Sequence, residues 1–115
     1  MSQKQQLGPL GESLVARYYA DQGAQIIVRN YHTRQGELDL IILLDGRLVF
    51  VEVKTRTNNK YGEPQEAVDE TKLDKMSSAA ETFLKEHHWT GQVEFQVAVV
   101  FLAKASYKIK ILAIE

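Results

Sequence analysis

An aspartate–glycine pair near the middle of the chain, Asp45-Gly46, constrains the fold more than any other feature. It separates two apolar runs, Leu38–Leu44 and Leu48–Val53. A two-residue loop of this composition favours a type I′ turn, because both central residues of that turn need positive φ. Such a short loop also fixes which residues of the two strands face each other. The sequence therefore predicts a central antiparallel hairpin with a defined register.

The predicted register brings charged residues of the two strands together. Counting outward from the turn, Asp39 falls opposite Glu52, and Glu37 falls opposite Lys54. Side chains alternate between faces, so these four share one face. Carboxylates facing each other in a largely apolar hairpin need a partner, because burying them unpaired is unfavourable. A divalent cation with a lysine beside it would satisfy them; the structural alternative is a simple ion pair between Glu37 and Lys54.

The remaining chain predicts two helices and three further strands. The first helix would bury one apolar stripe, made by Leu10, Leu14, Val15 and Tyr18. The second helix would contain a break near Asp69–Thr71, where Thr71 and Asp74 resemble a capping box. The predicted bounds are a helix over Pro9 to Asp21, a strand over Ala24–Tyr31, a polar loop over Thr55–Gly62, a helix over Pro64 to His88, and strands over Val93–Leu102 and Lys108–Ile114.

This order of elements predicts an α/β fold with a single mixed β-sheet, in which the central antiparallel hairpin is flanked by helices. The second helix would act as a crossover, so the strand Val93–Leu102 would lie parallel to its neighbour in the hairpin. A chain of 115 residues fits one domain, 1–115, in which we expect residues 1–6 to be disordered.

Composition excludes some functions and leaves others open. The chain has no cysteine, which excludes disulfides and thiolate chemistry, and its net charge of −1 carries no global signature of nucleic-acid binding. Its first residues lack the apolar segment of a signal peptide, and no apolar run approaches the ~18 residues of a membrane span. We expect a cytoplasmic protein with no membrane partner.

Asp39 and Glu52 offer the oxygen ligands that a hard cation prefers, and Mg²⁺ or Mn²⁺ is the expected cofactor. The backbone carbonyl of Val53 would complete the ligand set. Lys54, two residues beyond Glu52, would stabilise charge on a phosphate or orient an attacking water. These groups suit phosphodiester hydrolysis, whereas no Ser/His/Asp or Cys/His set for acyl transfer is evident.

Several other polar or aromatic residues have simpler interpretations. His87 and His88 would point about 100° apart on a helix, which makes a poor metal site. His32 has no partner at ligand spacing, and Trp89 is interpreted as a packing anchor. Glu12, in the first turn of the predicted first helix, suits the helix dipole.

The motifs that carry these residues resemble a known nuclease group. Glu37-x-Asp39 followed by Glu52-Val53-Lys54 resembles the PD-(D/E)xK nuclease superfamily. More narrowly, the chain is similar to YraN-like bacterial proteins, which are akin to Holliday junction resolvases. The matching segments are Gly11-Glu12, Gly36–Ile41, Val49–Arg56, and Tyr61–Val68 with the following Lys72.

The resemblance implies a restriction-endonuclease-like core with a divalent metal. By the family pattern, Asp39 and Glu52 would bind the metal and Lys54 would be the catalytic lysine. Glu12 would be an additional acid that reaches the metal site, and Glu37 a supporting acid. The chain departs from the YraN-like pattern at Gln96, which follows Phe95 where an aspartate is usual, and its segment from Lys104 onward matches weakly.

The leading hypothesis is a Mg²⁺- or Mn²⁺-dependent endonuclease acting on branched or otherwise structured DNA, with a homodimer implied by the likeness to resolvases. An alternative is a non-catalytic nucleic-acid-binding module on the same fold. In both cases the basic residues expected on phosphates are Arg34, Arg56, Lys60 and Lys72. A structural or interaction protein with no nucleic-acid role is a third hypothesis, which the near-neutral net charge leaves open.

Overall fold

The computed structural model describes residues 3–57 and 70–114, and the side chains from residue 8 onward within those ranges. Five strands form a single mixed sheet, and two helices pack on it, which confirms the predicted fold class. In chain order the elements are α1 Gln3–Asp21, β1 Gln25–His32, β2 Glu37–Leu44, β3 Arg47–Arg56, α2 Glu70–Glu86, β4 Val93–Leu102 and β5 Tyr107–Ile114.

The strands are hydrogen-bonded in their chain order, β1 to β5, with β2 and β3 near the middle. Neighbouring strands are antiparallel except β3 and β4, which run parallel. The predicted parallel neighbour of the hairpin is therefore confirmed. A parallel pair needs a long connection between its strands, and α2 lies in that connection.

The central turn has the predicted geometry. Asp45 and Gly46 have φ values of 51° and 77°, as a two-residue loop of this type requires. From Leu44 opposite Arg47, the predicted register then holds for five consecutive pairs and reaches Leu40 opposite Val51.

Two apolar layers cover the sheet, one beneath each helix. The α1 layer contains Val15, Ala16, Tyr19, Leu40, Ile42, Leu44, Val49, Val51, Ala98 and Val100. The α2 layer contains Leu38, Ile41, Leu48, Phe50, Met76, Ala79, Ala80 and Phe83. Because both faces of β2 and β3 are buried, these strands read as continuous apolar runs rather than as alternating ones.

The first helix begins earlier and is rotated differently from the prediction. It starts at Gln3 rather than Pro9, so Pro9 lies inside the helix. The preceding glutamines and lysine are good helix formers, and they extend the helix ahead of the proline. The predicted stripe is wrong in two positions: Leu10 and Tyr18 are 47% and 37% exposed.

Tyr19 replaces Tyr18 as the buried aromatic residue of α1. Its hydroxyl donates a hydrogen bond of 2.5 Å to Oε1 of Gln96 on β4. Burial raises the pKa of Tyr19 well above its usual range, with smaller contributions from Tyr18 and Glu94, so the hydroxyl stays protonated and acts as a donor. Gln96, the residue that departs from the family pattern, thus ties α1 to the sheet.

The second helix begins at Glu70 among the described residues and ends at Glu86, two residues before the predicted end. Thr71 is therefore inside the first turn and does not cap it. At the other end, His88 takes a left-handed conformation with φ of 50°, and the Trp89 N–H donates to the Leu84 carbonyl. This pattern closes a helix by satisfying its last carbonyl groups.

Three further expectations can be compared with the described residues. His87 stacks on Phe83 at the end of α2, and Trp89 packs against the α2 layer as predicted. Thr55 and Arg56, expected in a loop, belong to β3, because the parallel pairing with β4 continues to Arg56 opposite Phe101. Thr57 follows β3 as a bend, whereas the predicted helix start at Pro64 and residues 58–62 of the polar loop lie outside the described residues. No helix in the described parts is long and apolar enough to cross a membrane.

Candidate functional site

The regular pairing of β2 and β3 stops where the charged residues begin. Continued by one step beyond Leu40–Val51, the register would place Asp39 opposite Glu52, but the ladder ends before that pair. Instead, the backbone N–H of Val53, the residue after Glu52, donates a hydrogen bond of 2.7 Å to Oδ2 of Asp39. A side-chain carboxylate thus takes the place of a strand carbonyl, and the two strands separate around it.

The distortion extends into β1. Asn30, which faces Asp39 in the β1–β2 register, has a φ of 54°, an uncommon conformation for a residue other than glycine. Strict alternation would put Leu38 on the same face as Leu40, yet Leu38 packs in the α2 layer and Leu40 in the α1 layer. The backbone around Asp39 therefore departs from regular pleating in two adjacent strands.

Glu52 is the buried charged residue of the described chain, with 4% of its surface exposed. Its Oε1 accepts a hydrogen bond of 2.9 Å from Nζ of Lys72, and it lies 3.4 Å from Nζ of Lys54. Its Oε2 is buried and has no hydrogen-bond partner among the residues that the structure describes. Burying a carboxylate oxygen without a hydrogen bond is unfavourable and rare in native proteins, so this oxygen needs an explanation.

Glu12 reaches the same region from α1. Because the helix begins at Gln3, Glu12 is not in its first turn, and the helix dipole does not explain it. Gly11 beside it packs so closely on β3 that an added methyl group would overlap the Thr55 hydroxyl. This contact turns Glu12 toward the sheet, where its Oε1 is buried without a hydrogen-bond partner.

The three carboxylates affect one another electrostatically. Burial and, after it, the charges of Glu52 and Glu12 together raise the pKa of Asp39 to about 7, against the opposing effects of the Val53 hydrogen bond and Lys72. The pKa of Glu12 is also raised, mainly by burial and secondly by the charge of Glu52, while the charge of Arg29 on β1 lowers it. Glu12, Asp39 and Glu52 thus form one group, although they come from α1, β2 and β3.

Lys72 comes from the first turns of α2. The helix is held near the site by Gly36, where an added methyl group would overlap the backbone carbonyl of Lys75. Burial lowers the pKa of Lys72, but the hydrogen bond and charge of Glu52 outweigh it, so the pKa lies above its ordinary value. Lys72 was predicted as a phosphate contact, whereas the structure places its ammonium on Glu52.

The other predicted residues lie around this group or outside the described chain. Oε2 of Glu37 lies 3.1 Å from Nδ1 of His32 rather than on Lys54, so the predicted Glu37–Lys54 pair is wrong: the β2–β3 ladder ends at Leu40 opposite Val51, before it reaches that pair. Arg34 is exposed and lines a cavity of about 230 Å³ with His32 and Lys75. Arg56 lies at the end of β3. Lys60 is outside the described residues.

The donor set fits a hard divalent cation. Carboxylate oxygens are the ligands that Mg²⁺ and Mn²⁺ prefer, and two of them, on Glu12 and Glu52, are buried here without a hydrogen-bond partner. Within the described ranges, no three His, Cys, Asp or Glu side chains stand close enough to hold a metal ion together. A site of two carboxylates and several waters does not need such a cluster. Val53 contacts Asp39 through its N–H, whereas its predicted role used the carbonyl.

Two residues of this group were not recognised as such from the sequence. Lys72 lies eighteen residues after Lys54, across a long connection, so no local spacing links it to Glu52. Arg29 was counted only as part of a basic patch, yet its charge acts on Glu12. The spacing of Glu12, Ala16 and Tyr19, which puts them on one helix face, was the available signal that Glu12 faces the sheet.

Comparison with known proteins identifies related chains. A family described as "Uncharacterised protein family UPF0102" matches residues 11–109. A UPF0102 protein of Syntrophomonas wolfei is 40% identical over 90% of this chain and 91% of its own length. One of Solibacter usitatus is 41% identical over 90% and 80%, and one of Rhodococcus opacus is 44% identical over 84% and 82%. These names state a family and no activity.

Proposed function

The chain belongs to the uncharacterised protein family UPF0102, the YraN family predicted from its motifs, and we propose that it is a divalent-metal-dependent endonuclease that hydrolyses phosphodiester bonds in DNA. The observation that carries this proposal is the convergence of Glu12, Asp39 and Glu52 with two lysines at the open end of the hairpin. Two buried carboxylate oxygens of that group have no hydrogen-bond partner. Acidic and basic groups in one such site are the combination that phosphodiester hydrolysis needs.

Each residue has a distinct task in this proposal. Asp39 and Glu52 hold the Mg²⁺ or Mn²⁺ ion, which when bound supplies Lewis-acid charge to the phosphate and activates water. The Val53 N–H fixes one oxygen of Asp39, so that the carboxylate is oriented before the ion arrives. Lys54 offers an ammonium beside Glu52, where it stabilises negative charge that develops on the phosphate. Glu12 adds an acid from α1.

The surroundings support a polyanionic substrate. Arg34 and Lys75 line the cavity at the β1–β2 loop, whose lining includes Glu37 but none of Glu12, Asp39 and Glu52. Arg56 ends β3, the strand that carries Glu52 and Lys54. We assign these three cations to backbone phosphates on either side of the scissile bond. Branched or structured DNA as the preferred form, and a homodimer that cuts two strands, extend the same proposal from the likeness to resolvases.

The test is a cleavage assay on linear, flapped and four-way DNA with Mg²⁺ or Mn²⁺. Asp39→Asn and Glu52→Gln should each lower the cleavage rate by about 100-fold or more, as expected when a main electrostatic group at a reaction centre is removed. Glu94→Gln is the matched control, because Glu94 is a carboxylate on β4 that pairs with Arg47 at 2.6 Å, away from the site. Cleavage that survives both site substitutions would reject the assignment.

The second candidate is a non-catalytic nucleic-acid-binding module. The separation of Arg34 and Lys75 from the carboxylates favours it, because DNA held there need not contact Glu52. Such a module would bind DNA with a steep dependence on salt concentration and release it uncut. Under this alternative, Arg34→Gln weakens DNA binding, whereas Glu52→Gln leaves binding unchanged or strengthens it by removing a negative charge.

A further inference from the structure

Two lysines, Lys54 and Lys72, lie at different distances from the carboxylate of Glu52. The ammonium of Lys72 lies 2.9 Å from Oε1, and that of Lys54 lies 3.4 Å from the same atom. Lys54 shares the strand with Glu52, but Lys72 belongs to α2, on the other side of a long connection. The shorter of the two ion pairs therefore comes from a separate element of the fold.

A carboxylate as buried as Glu52 needs a positive partner, because an uncompensated charge in the interior is strongly unfavourable. Lys72 meets that need, and a divalent cation would meet it as well. The unpartnered Oε2 leaves a divalent cation a place on the same carboxylate, but an ammonium on Oε1 and a divalent cation on Oε2 would lie a few ångströms apart and repel each other in a partly desolvated site. Binding of one therefore opposes binding of the other.

We propose that Lys72 is a tethered cation that competes with the divalent metal for Glu52, so that metal binding displaces the Lys72 ammonium from this carboxylate. The inference rests on the proposed function in taking Glu52 as a metal ligand. It adds a positioning role for Lys72: the lysine holds Oε1 of Glu52 and compensates the charge of that carboxylate when no metal is bound. Once displaced, its ammonium stays on the first turns of α2 beside the site, available to a phosphate oxygen.

The competition predicts a change in metal affinity that differs from an ordinary charge effect. Lys72→Gln should bind Mn²⁺ at least about five-fold more tightly than the wild type, the lower end of the usual coupling between linked ligands. Lys85→Gln removes the same charge from an exposed side chain in the last turn of α2, thirteen residues further along the helix. Its Mn²⁺ affinity should change by less than about two-fold, because distant exposed charges are screened.

The titrations are made by calorimetry on the full chain at fixed ionic strength, and Lys72→Arg provides the charge-conserving variant. Arginine keeps the positive charge, so its Mn²⁺ affinity should return toward the wild-type value. Equal affinities for wild type and Lys72→Gln, or a weaker affinity for Lys72→Gln, would overturn the competition and leave the metal site intact. If Mn²⁺ bound to neither wild type nor any variant, this inference and the proposed metal dependence would both fail.

A second measurement uses the wild-type protein and does not depend on how a variant folds. The side-chain resonance of Lys72 is followed by NMR in lysine-labelled protein during a Mg²⁺ titration, with Lys72→Arg used only to assign it. The proposal predicts a shift of the Lys72 signal that saturates together with metal binding, while the signal of Lys85, in the last turn of α2, stays in place. Saturable Mg²⁺ binding with an unchanged Lys72 signal would contradict displacement.

Discussion

The two ends of the β2–β3 hairpin differ in structure: the turn end lies at Asp45-Gly46, and the open end lies around Asp39 and Glu52. At the turn end, five residue pairs keep a regular register and their side chains fill two apolar layers. At the open end, the Asp39 carboxylate accepts a hydrogen bond from the backbone N–H of Val53. The buried Glu52 is paired there with Lys54 of β3 and Lys72 of α2. The same pair of strands thus provides stability at one end and places incompletely satisfied polar groups at the other. A fold tolerates such groups where they serve a function, and it compensates for them elsewhere.

The largest effect on stability should come from the turn end. Ile42→Ala removes a fully buried side chain from the α1 layer and leaves a cavity between the sheet and α1. We expect the free energy of unfolding to fall by about 2–5 kcal/mol. Urea denaturation followed by circular dichroism measures this. A loss below 1 kcal/mol would show that the two ends do not differ in the way described.

The next effect concerns the docking of α2. Gly36→Ala places a methyl group against the Lys75 carbonyl, which is backbone and has little freedom to move away. Overpacking of this kind lowers the free energy of unfolding by about 1–3 kcal/mol. It should also weaken the Lys72–Glu52 contact, because α2 moves away from the site. Gly8→Ala is the control, since no atom lies near the added methyl group there; comparable losses in both variants would rule out a specific contact.

Removing a charge from the open end should stabilise the protein. At pH 8 the Asp39 carboxylate is ionised although burial and the charges of Glu52 and Glu12 oppose it. Asp39→Asn keeps an oxygen that can accept the Val53 N–H and removes the charge. In the presence of EDTA, we expect the free energy of unfolding to rise by about 1–2 kcal/mol. A lower stability at pH 8 would mean that the charge itself holds the strands together.

The most gradual effect is a pH dependence of stability without metal. Folded Asp39 keeps its proton up to about pH 7, whereas in the unfolded chain it loses the proton near its ordinary value of 3.8. Between these values the folded state binds more protons, so stability falls as the pH rises, by about 1 kcal/mol per unit at most, and this contribution is constant below pH 3.8. Denaturation of wild type and Asp39→Asn across pH 4–8 isolates it; parallel curves would exclude the shift.

Local rules were sufficient for the turn end. The Asp45-Gly46 pair predicted both the turn and the register, and the apolar run of β4 predicted Val93–Leu102 to the residue. The helix stripe of α1 was less accurate, because apolar spacing alone favoured Leu10 and Tyr18. The close approach of Gly11 to Thr55, which only packing reveals, sets the rotation of that helix.

The open end depends on contacts between residues that are distant in sequence. Asp39 and Glu52 could be paired by counting from the turn, but the end of the ladder at Leu40 could not be predicted, since there the Val53 N–H bonds the Asp39 side chain. The position of Lys72 on Glu52 depends on where α2 docks. For Glu12, only the family resemblance indicated that it reaches the site, and the buried Oε1 now agrees with that indication.

The most direct test of the central claim is a calorimetric titration of Mn²⁺ into the wild-type protein and into Glu52→Gln. If the open end of the hairpin is built to hold a divalent cation, the wild type binds Mn²⁺ saturably at this site. Glu52→Gln then loses at least about ten-fold in affinity, which corresponds to ~1.4 kcal/mol. Glu94→Gln, with its carboxylate in an ion pair on β4, binds as the wild type does. Equal Mn²⁺ affinity in wild type and Glu52→Gln would contradict the account.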